Sequence, residues 1–341
     1  MKKVIIGVVA VFALMAFMPL KKKFKLDRST SVAELQEVLG TDYKSKKPNT
    51  KVRGVKASIG EDIVKNGFSK RKGEKKARRQ SKHFVCTSCH NVKKEDPDLL
   101  SPSPEDRLAY GIEKGIPFLQ ATTLYGAVNR DTYYNGDYEK KYGDLVKPAR
   151  NNIREAIQLC ALECAQGRKL KDREIESILA YLWTIDLKVG DLDISDEELS
   201  SLEEMIDNPV LHNDGLKLVA SKYAKKSNAT FLDPPADRKK GVGLQGDVNN
   251  GGRIYEQSCL HCHYQKRYSF LYLDKRSMSL DHLDSKADTY NRHSLYQVVR
   301  YGTFSKHGKR SYMPHYTKER MSDQQLADLR AYLAEGERIK Y

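Results

Sequence analysis

The five-residue pattern Cys-x-x-Cys-His occurs twice, as Cys86-Thr87-Ser88-Cys89-His90 and as Cys259-Leu260-His261-Cys262-His263. No other feature limits the chain as strongly. Two thiols two residues apart reach the two vinyl groups of one porphyrin. The next residue then lies beneath the metal, where a neutral imidazole can ligate it. Zinc and a redox dithiol compete for the same letters. Zinc needs four ligands, so the two pairs together would make one site. A thioredoxin-like dithiol needs no following histidine and sits in a β-α-β pattern, which is absent here. Two complete copies among helical patterns therefore predict two covalently attached c-type haems. Cys86, Cys89, Cys259 and Cys262 attach them, and His90 and His263 ligate the irons.

The surroundings of the motifs repeat as well. Each half carries its motif near its start and an amphipathic helix near its end. These endings read LKDREIESILAYL at 170–182 and MSDQQLADLRAYL at 321–333, with Ala-Tyr-Leu at the same offset. Two copies of one small domain account for 341 residues better than one large fold. The expected fold is mainly α, with two class I-type cytochrome c domains in tandem. Domain 1 is expected at 81–190, a connector at 191–250 and domain 2 at 251–341. A helical pattern begins near Ile59 and Ile63-Val64 in the basic stretch, and helices are expected at Ser31–Leu39, Asp172–Ile185, Ser195–Asp207 and Ser322–Leu333. Serine N-caps followed three residues later by Glu198 and Gln325 open the last two.

The N-terminus bears on compartment. Met1-Lys2-Lys3 precedes Val4–Leu20, an uncharged run, and Lys21-Lys22-Lys23 follows. A basic start before an apolar run reads as an export signal or an uncleaved anchor over residues 1–20. The expected location is the periplasm, with a possible membrane tether through this segment. The net charge of +15 is concentrated in a basic extension at 21–80. Residues 44–82 hold fifteen Lys and Arg against Glu61, Asp62 and Glu74. Such a run attracts an anionic substrate, an acidic partner or a membrane surface, and export argues against nucleic acid.

The distal ligands differ between the halves. Met313-Pro314 lies 50 residues after His263, just before the terminal helix, and is the expected axial ligand of haem 2. Met278, Met321, His293, His307 and His315 compete with it. Between His90 and Ile194 there is no methionine and no histidine, so haem 1 takes a Cys or Lys ligand or stays open on that side. Two cysteines remain, Cys160 and Cys164, in the helical pattern 151–170 ended by Gly167. Residues i and i+4 share a helix face, but on a regular helix the two thiols do not readily form a disulfide. The tyrosine-rich insert Leu124–Tyr142 (Tyr125, Tyr133, Tyr134, Tyr138 and Tyr142) is expected over the distal side of haem 1.

From Cys86 to Leu182 the chain resembles the haem domain of thiosulfate dehydrogenases, dihaem cytochromes related to the SoxA subunits of sulfur-oxidising systems. In that family a cysteine-led run closing in Gly-Arg-x-Leu supplies the haem 1 ligand. Here the run is Cys160 to Leu170, with Gly167, Arg168 and Leu170 matching. The resemblance spans roughly residues 80–335 and implies that Cys160 is both a metal ligand and a catalytic residue. It implies oxidation of two thiosulfates to tetrathionate, with electrons passing from a His/Cys haem to a His/Met haem. They then pass to an external acceptor such as another cytochrome. The family's arginine four residues before the cysteine is Ala156 here. Arg154 is the nearest replacement for holding the anionic substrate, with Arg130, Arg150 and Arg168 as further cations. Glu163 and Cys164 replace the family's Arg and Ser. The alternative reading is a non-catalytic dihaem electron carrier.

Overall fold

Side-chain caps mark where most of the helices begin. The hydroxyl or amide of Ser31, Ser103, Asn135 and Asn152 accepts from backbone N–H groups that have no partner inside the helix. These caps open α1 (Val32–Val38), α3 (Pro104–Lys114), α4 (Gly136–Tyr142) and α5 (Ile153–Leu159). Between the first two lies α2 (Ala57–Asn66). Then follow α6 (Asp172–Leu182), α7 (Asp196–Asp207), α8 (His212–Ala220), α9 (Val248–Ile254) and α10 (Leu260–His263). The last are α11 (Leu280–Ala287), α12 (Leu295–Tyr301) and α13 (Asp323–Glu335). The capping boxes expected at Ser195 and Ser322 are formed.

This computed structural model describes residues 24–68, 78–226, 228–264, 267–269, 271–274, 278–303 and 310–336. The export segment 1–20 and His307 lie outside the described residues. The fold is mainly α. Among the described residues there is no strand, only three isolated bridges. No described helix is long and apolar enough to cross a membrane.

One helix pair occurs twice. In the first half α2 packs across α6, and in the second α9 packs across α13. Each crossing depends on a glycine. A Cβ on Gly60 would collide with the Ser177 carbonyl oxygen, and one on Gly251 with that of Asp328. Backbones this close leave no room for a side chain. Helix α2 falls within the stretch read from sequence as the basic extension, yet its Ile63 and Val64 belong to the core of the first half with Ile178, Leu179 and Leu182. Helix α1 is likewise packed. Val32, Leu35 and Leu39 share a core with Leu202, Val219 and Tyr223 of the expected connector.

The two halves interlock. Leu108 of α3 and Phe118 are buried in the core of the second half with Ile254, Tyr296, Leu326 and Leu329. The Phe118 N–H donates to the Gln257 carbonyl at 3.1 Å, and its ring stacks on Tyr316.

The helix holding the spare cysteines departs from the regular pattern expected. After Leu159 the chain widens into a single π turn, Cys160–Cys164, in which the Ala165 N–H reaches back to the Cys160 carbonyl at 2.8 Å. Such turns insert one residue into a helix and recur at functional sites. A second π turn, Tyr255–Cys259, delivers the first cysteine of the second motif.

Candidate haem sites and the thiol pair

The first motif is held by its own backbone. Cys86–Ser88 forms one tight turn, closed by the His90 N–H donating to the Cys86 carbonyl at 3.0 Å. His90 Nδ1 lies 2.6 Å from the Thr122 carbonyl oxygen. That contact fixes the ring and leaves Nε2 to face a metal, the usual arrangement of a ligating histidine. Burial holds His90 below the usual imidazole range, so the ring is neutral. In the second motif His263 Nδ1 faces the Leu271 carbonyl at 3.3 Å, and burial again keeps the ring neutral. All four motif cysteines are free thiols. Burial pushes Cys86 and Cys262 up to about 11 and Cys259 up to about 12. Neutral thiols and neutral imidazoles with one free nitrogen are the donor set that covalent haem attachment requires.

The two motifs touch. His261 Nε2 is 3.2 Å from the Thr87 carbonyl, and the Cys262 thiol points at the Ser88 carbonyl at 3.9 Å.

Met313 sits in a fixed loop. Its N–H donates to Thr303 Oγ1, and its carbonyl accepts from the Thr303 N–H, both at 2.8 Å. Gly302 makes this possible. Its φ is +69°, and a Cβ there would collide with the Met313 carbonyl oxygen. The competitors have other places. Met321 is 1% exposed in the core, and Met278 packs on the same core. His293 Nε2 accepts from Arg292 at the surface. His315 lies against Phe231.

Cys160 and Cys164 lie close together on their π turn, both free and partly exposed, each the strongest influence on the other's titration. Tyr134 is also a close neighbour of Cys164. Tyr134, Tyr138, Tyr142 and Tyr312 all lie close enough to Cys164 for its charge to hold their phenols neutral, burial being the larger cause. Cys160 in turn neighbours Cys86 and Cys89. Three of the insert's five tyrosines thus reach this chamber. Tyr125 instead donates to Asp191 at 2.6 Å, and the Tyr133 hydroxyl faces the Arg130 carbonyl.

The arginines expected to hold a substrate are engaged elsewhere. Arg154 pairs with Glu176 at 2.7 Å and donates to the Ser45 and Lys47 carbonyls, so every guanidinium nitrogen ties the N-terminal stretch to α6. Arg168 is paired with Glu174, and Arg150 with Glu139. Arg130 donates to the Tyr125 carbonyl.

Sequence reasoning did not find a buried ionic cluster on the His90 side. Arg320 Nη2 meets Glu95 Oε1 at 2.6 Å, with both side chains buried. Burial opposes charge on Glu95, but Arg320 and Arg107 outweigh it and hold its carboxyl low. Beside it Asp96 is buried with Oδ1 unpartnered, and burial followed by the Glu95 charge pushes it up to about 6. No local pattern signals this cluster, because its members are 225 residues apart.

A helical frame around a Cys-x-x-Cys-His motif with a buried, oriented histidine supports a c-type cytochrome, an electron-transfer haem protein. Residues 246–333 match the family model described as cytochrome c oxidase, cbb3-type, subunit III. That stretch runs from just before α9 to near the end of α13 and contains the second motif and Met313. No curated protein and no solved structure matches the chain.

Proposed function

We propose that the chain is an exported dihaem cytochrome c, anchored or released through residues 1–20, that oxidises a small anionic sulfur compound. In this reading His90 ligates haem 1 opposite a thiolate of the Cys160–Cys164 pair, and His263 and Met313 ligate haem 2. Joining two thiosulfates into tetrathionate forms one sulfur–sulfur bond and releases two electrons, the combined capacity of two one-electron haems. An external acceptor such as another cytochrome then takes them. A thioether ligand favours ferrous iron, so haem 2 is the higher-potential exit.

The observation that carries this reading is the thiol pair beside Cys86 and Cys89 under a tyrosine cover. Lys141 supports it in place of Arg154. Its ammonium stands 4.1 Å from the Phe231 ring centre, its Nζ is buried without a hydrogen-bond partner, and Tyr142 and His315 are its neighbours. A desolvated cation is a ready partner for an anion.

The test is thiosulfate-dependent reduction of ferricyanide by the purified holoprotein. Turnover that Cys160→Ser abolishes, and for which Lys141→Gln raises KM more than it lowers kcat, is the expected result. Absence of turnover, with both haems intact, assigns the chain to the non-catalytic electron carriers instead.

A further inference from the structure

Cys160 and Cys164 are the two free thiols outside the attachment motifs, and the backbone that carries both is irregular at that place. Four residues of a regular α-helix advance about 6 Å. That already falls inside the roughly 4.4–6.8 Å Cα window of a disulfide. What prevents bridging on a regular helix is the direction of the two side chains. The π turn changes both quantities. It fits more residues into each turn with less rise, so residues i and i+4 come closer along the axis and into line. The two side chains stand close enough to influence each other more than any other neighbour does, and both are free thiols.

We infer that Cys160 and Cys164 are a redox-active dithiol that closes to a disulfide within its π turn and gives up an electron pair to the two haems. The step balances within the holoprotein. The two S–H bonds break, one Sγ–Sγ bond forms and two protons leave to solvent, both residues being partly exposed. Two electrons reduce two ferric c-type haems, one each. Reopening takes the same two electrons and two protons back. A bridge confined to one helical turn is strained, and strained disulfides have the more oxidising potentials typical of labile, catalytic bridges. The pair therefore gives two one-electron centres a two-electron store beside haem 1. It also switches ligation, because a disulfide holds no thiolate. The inference rests on haem attachment but not on a sulfur substrate, so it stands even if thiosulfate is not turned over.

The test counts thiols and electrons in the holoprotein, after a pyridine haemochrome assay has confirmed two haems. Ferricyanide-oxidised protein is unfolded, alkylated with iodoacetamide and digested, and the peptide holding both cysteines is weighed. The expected result is no alkylation and a mass about 2 Da below the dithiol form, with two alkyl groups added only after prior reduction by dithiothreitol. Anaerobic reductive titration should take four electrons per chain in the wild type and two in Cys160→Ser or Cys164→Ser. Full alkylation of both cysteines in the oxidised protein overturns the inference, as does a wild-type titration that ends at two electrons. The mass measurement needs no variant, so a variant that fails to fold does not weaken it. A haem count below two points instead to failure of the dihaem reading.

Discussion

The Tyr312 hydroxyl donates to the Cys164 carbonyl at 2.8 Å, across 148 residues of chain. Tyr312 directly precedes Met313, and Cys164 closes the π turn that carries the thiol pair. One hydrogen bond thus fastens the loop expected to ligate haem 2 to the helix expected to face haem 1. The Tyr312 ring is held from the other side by Phe84, edge to face at 5.4 Å.

Removing that hydroxyl should be felt at both haems. Tyr312→Phe keeps the ring contact and loses the bond, at a cost of about 1 kcal/mol. Thermal unfolding should show this loss, and potentiometric titration should show both midpoints displaced. Displacement of neither midpoint would mean that the bond only fastens the loop.

The two candidate methionines separate cleanly. Met313→Ala should lower the potential of haem 2, open its iron to exogenous ligands and remove the weak far-red methionine-to-iron band of the oxidised protein. Met321→Ala should leave that band in place and instead destabilise the fold by roughly 2–5 kcal/mol, because Met321 is core. Loss of the band in Met321→Ala would transfer the ligand assignment.

Asp96 makes stability depend on pH. Its carboxyl titrates near 3.8 when unfolded and near 6 in the fold, so between these values the folded state binds the extra proton. The Asp96 contribution should fall as pH rises through that window, by up to about 1.4 kcal/mol for each pH unit crossed, against the opposite slope of His261 and His315, which burial holds at about 4. Asp96→Asn should remove this contribution, so that its stability relative to the wild type rises with pH through the window and exceeds it above pH 6. Urea melts at a series of pH values measure it, and an unchanged slope would place the titration elsewhere.

The helix crossings give a paired prediction. Gly60→Ala and Gly251→Ala each force two backbones apart, costing about 1–3 kcal/mol or more. Each should reduce haem incorporation, seen as fewer haems per chain by pyridine haemochrome. The contrast is Gly136→Ala, where a Cβ meets nothing within 4 Å and incorporation should stay at the wild-type level.

Covalent attachment is checked on a denaturing gel. Haem stain should survive unfolding, with two haems per chain. Cys86→Ala and Cys259→Ala should each leave a thioether-depleted site.

What the sequence by itself determined is whatever a few adjacent residues decide. Attachment spacing is local, so Cys86–His90 and Cys259–His263 could be read as haem motifs without a fold. Capping is local, so Ser195 with Glu198 and Ser322 with Gln325 announced their helices. Tertiary structure decided the rest, because burial and pairing depend on what arrives from elsewhere in the chain. The helical start near Ile59 and Ile63-Val64 was legible within the basic stretch, but that α6 would cover Ile63 and Val64 and make them core was not. Arg154 looked available for a substrate until Glu176 and two distant carbonyls took its donors. A regular helical period was legible around Cys160, but the extra residue that widens the turn from Cys160 to Cys164 was not. A π turn leaves no mark in hydrophobic spacing, and it is fixed by the packing around it.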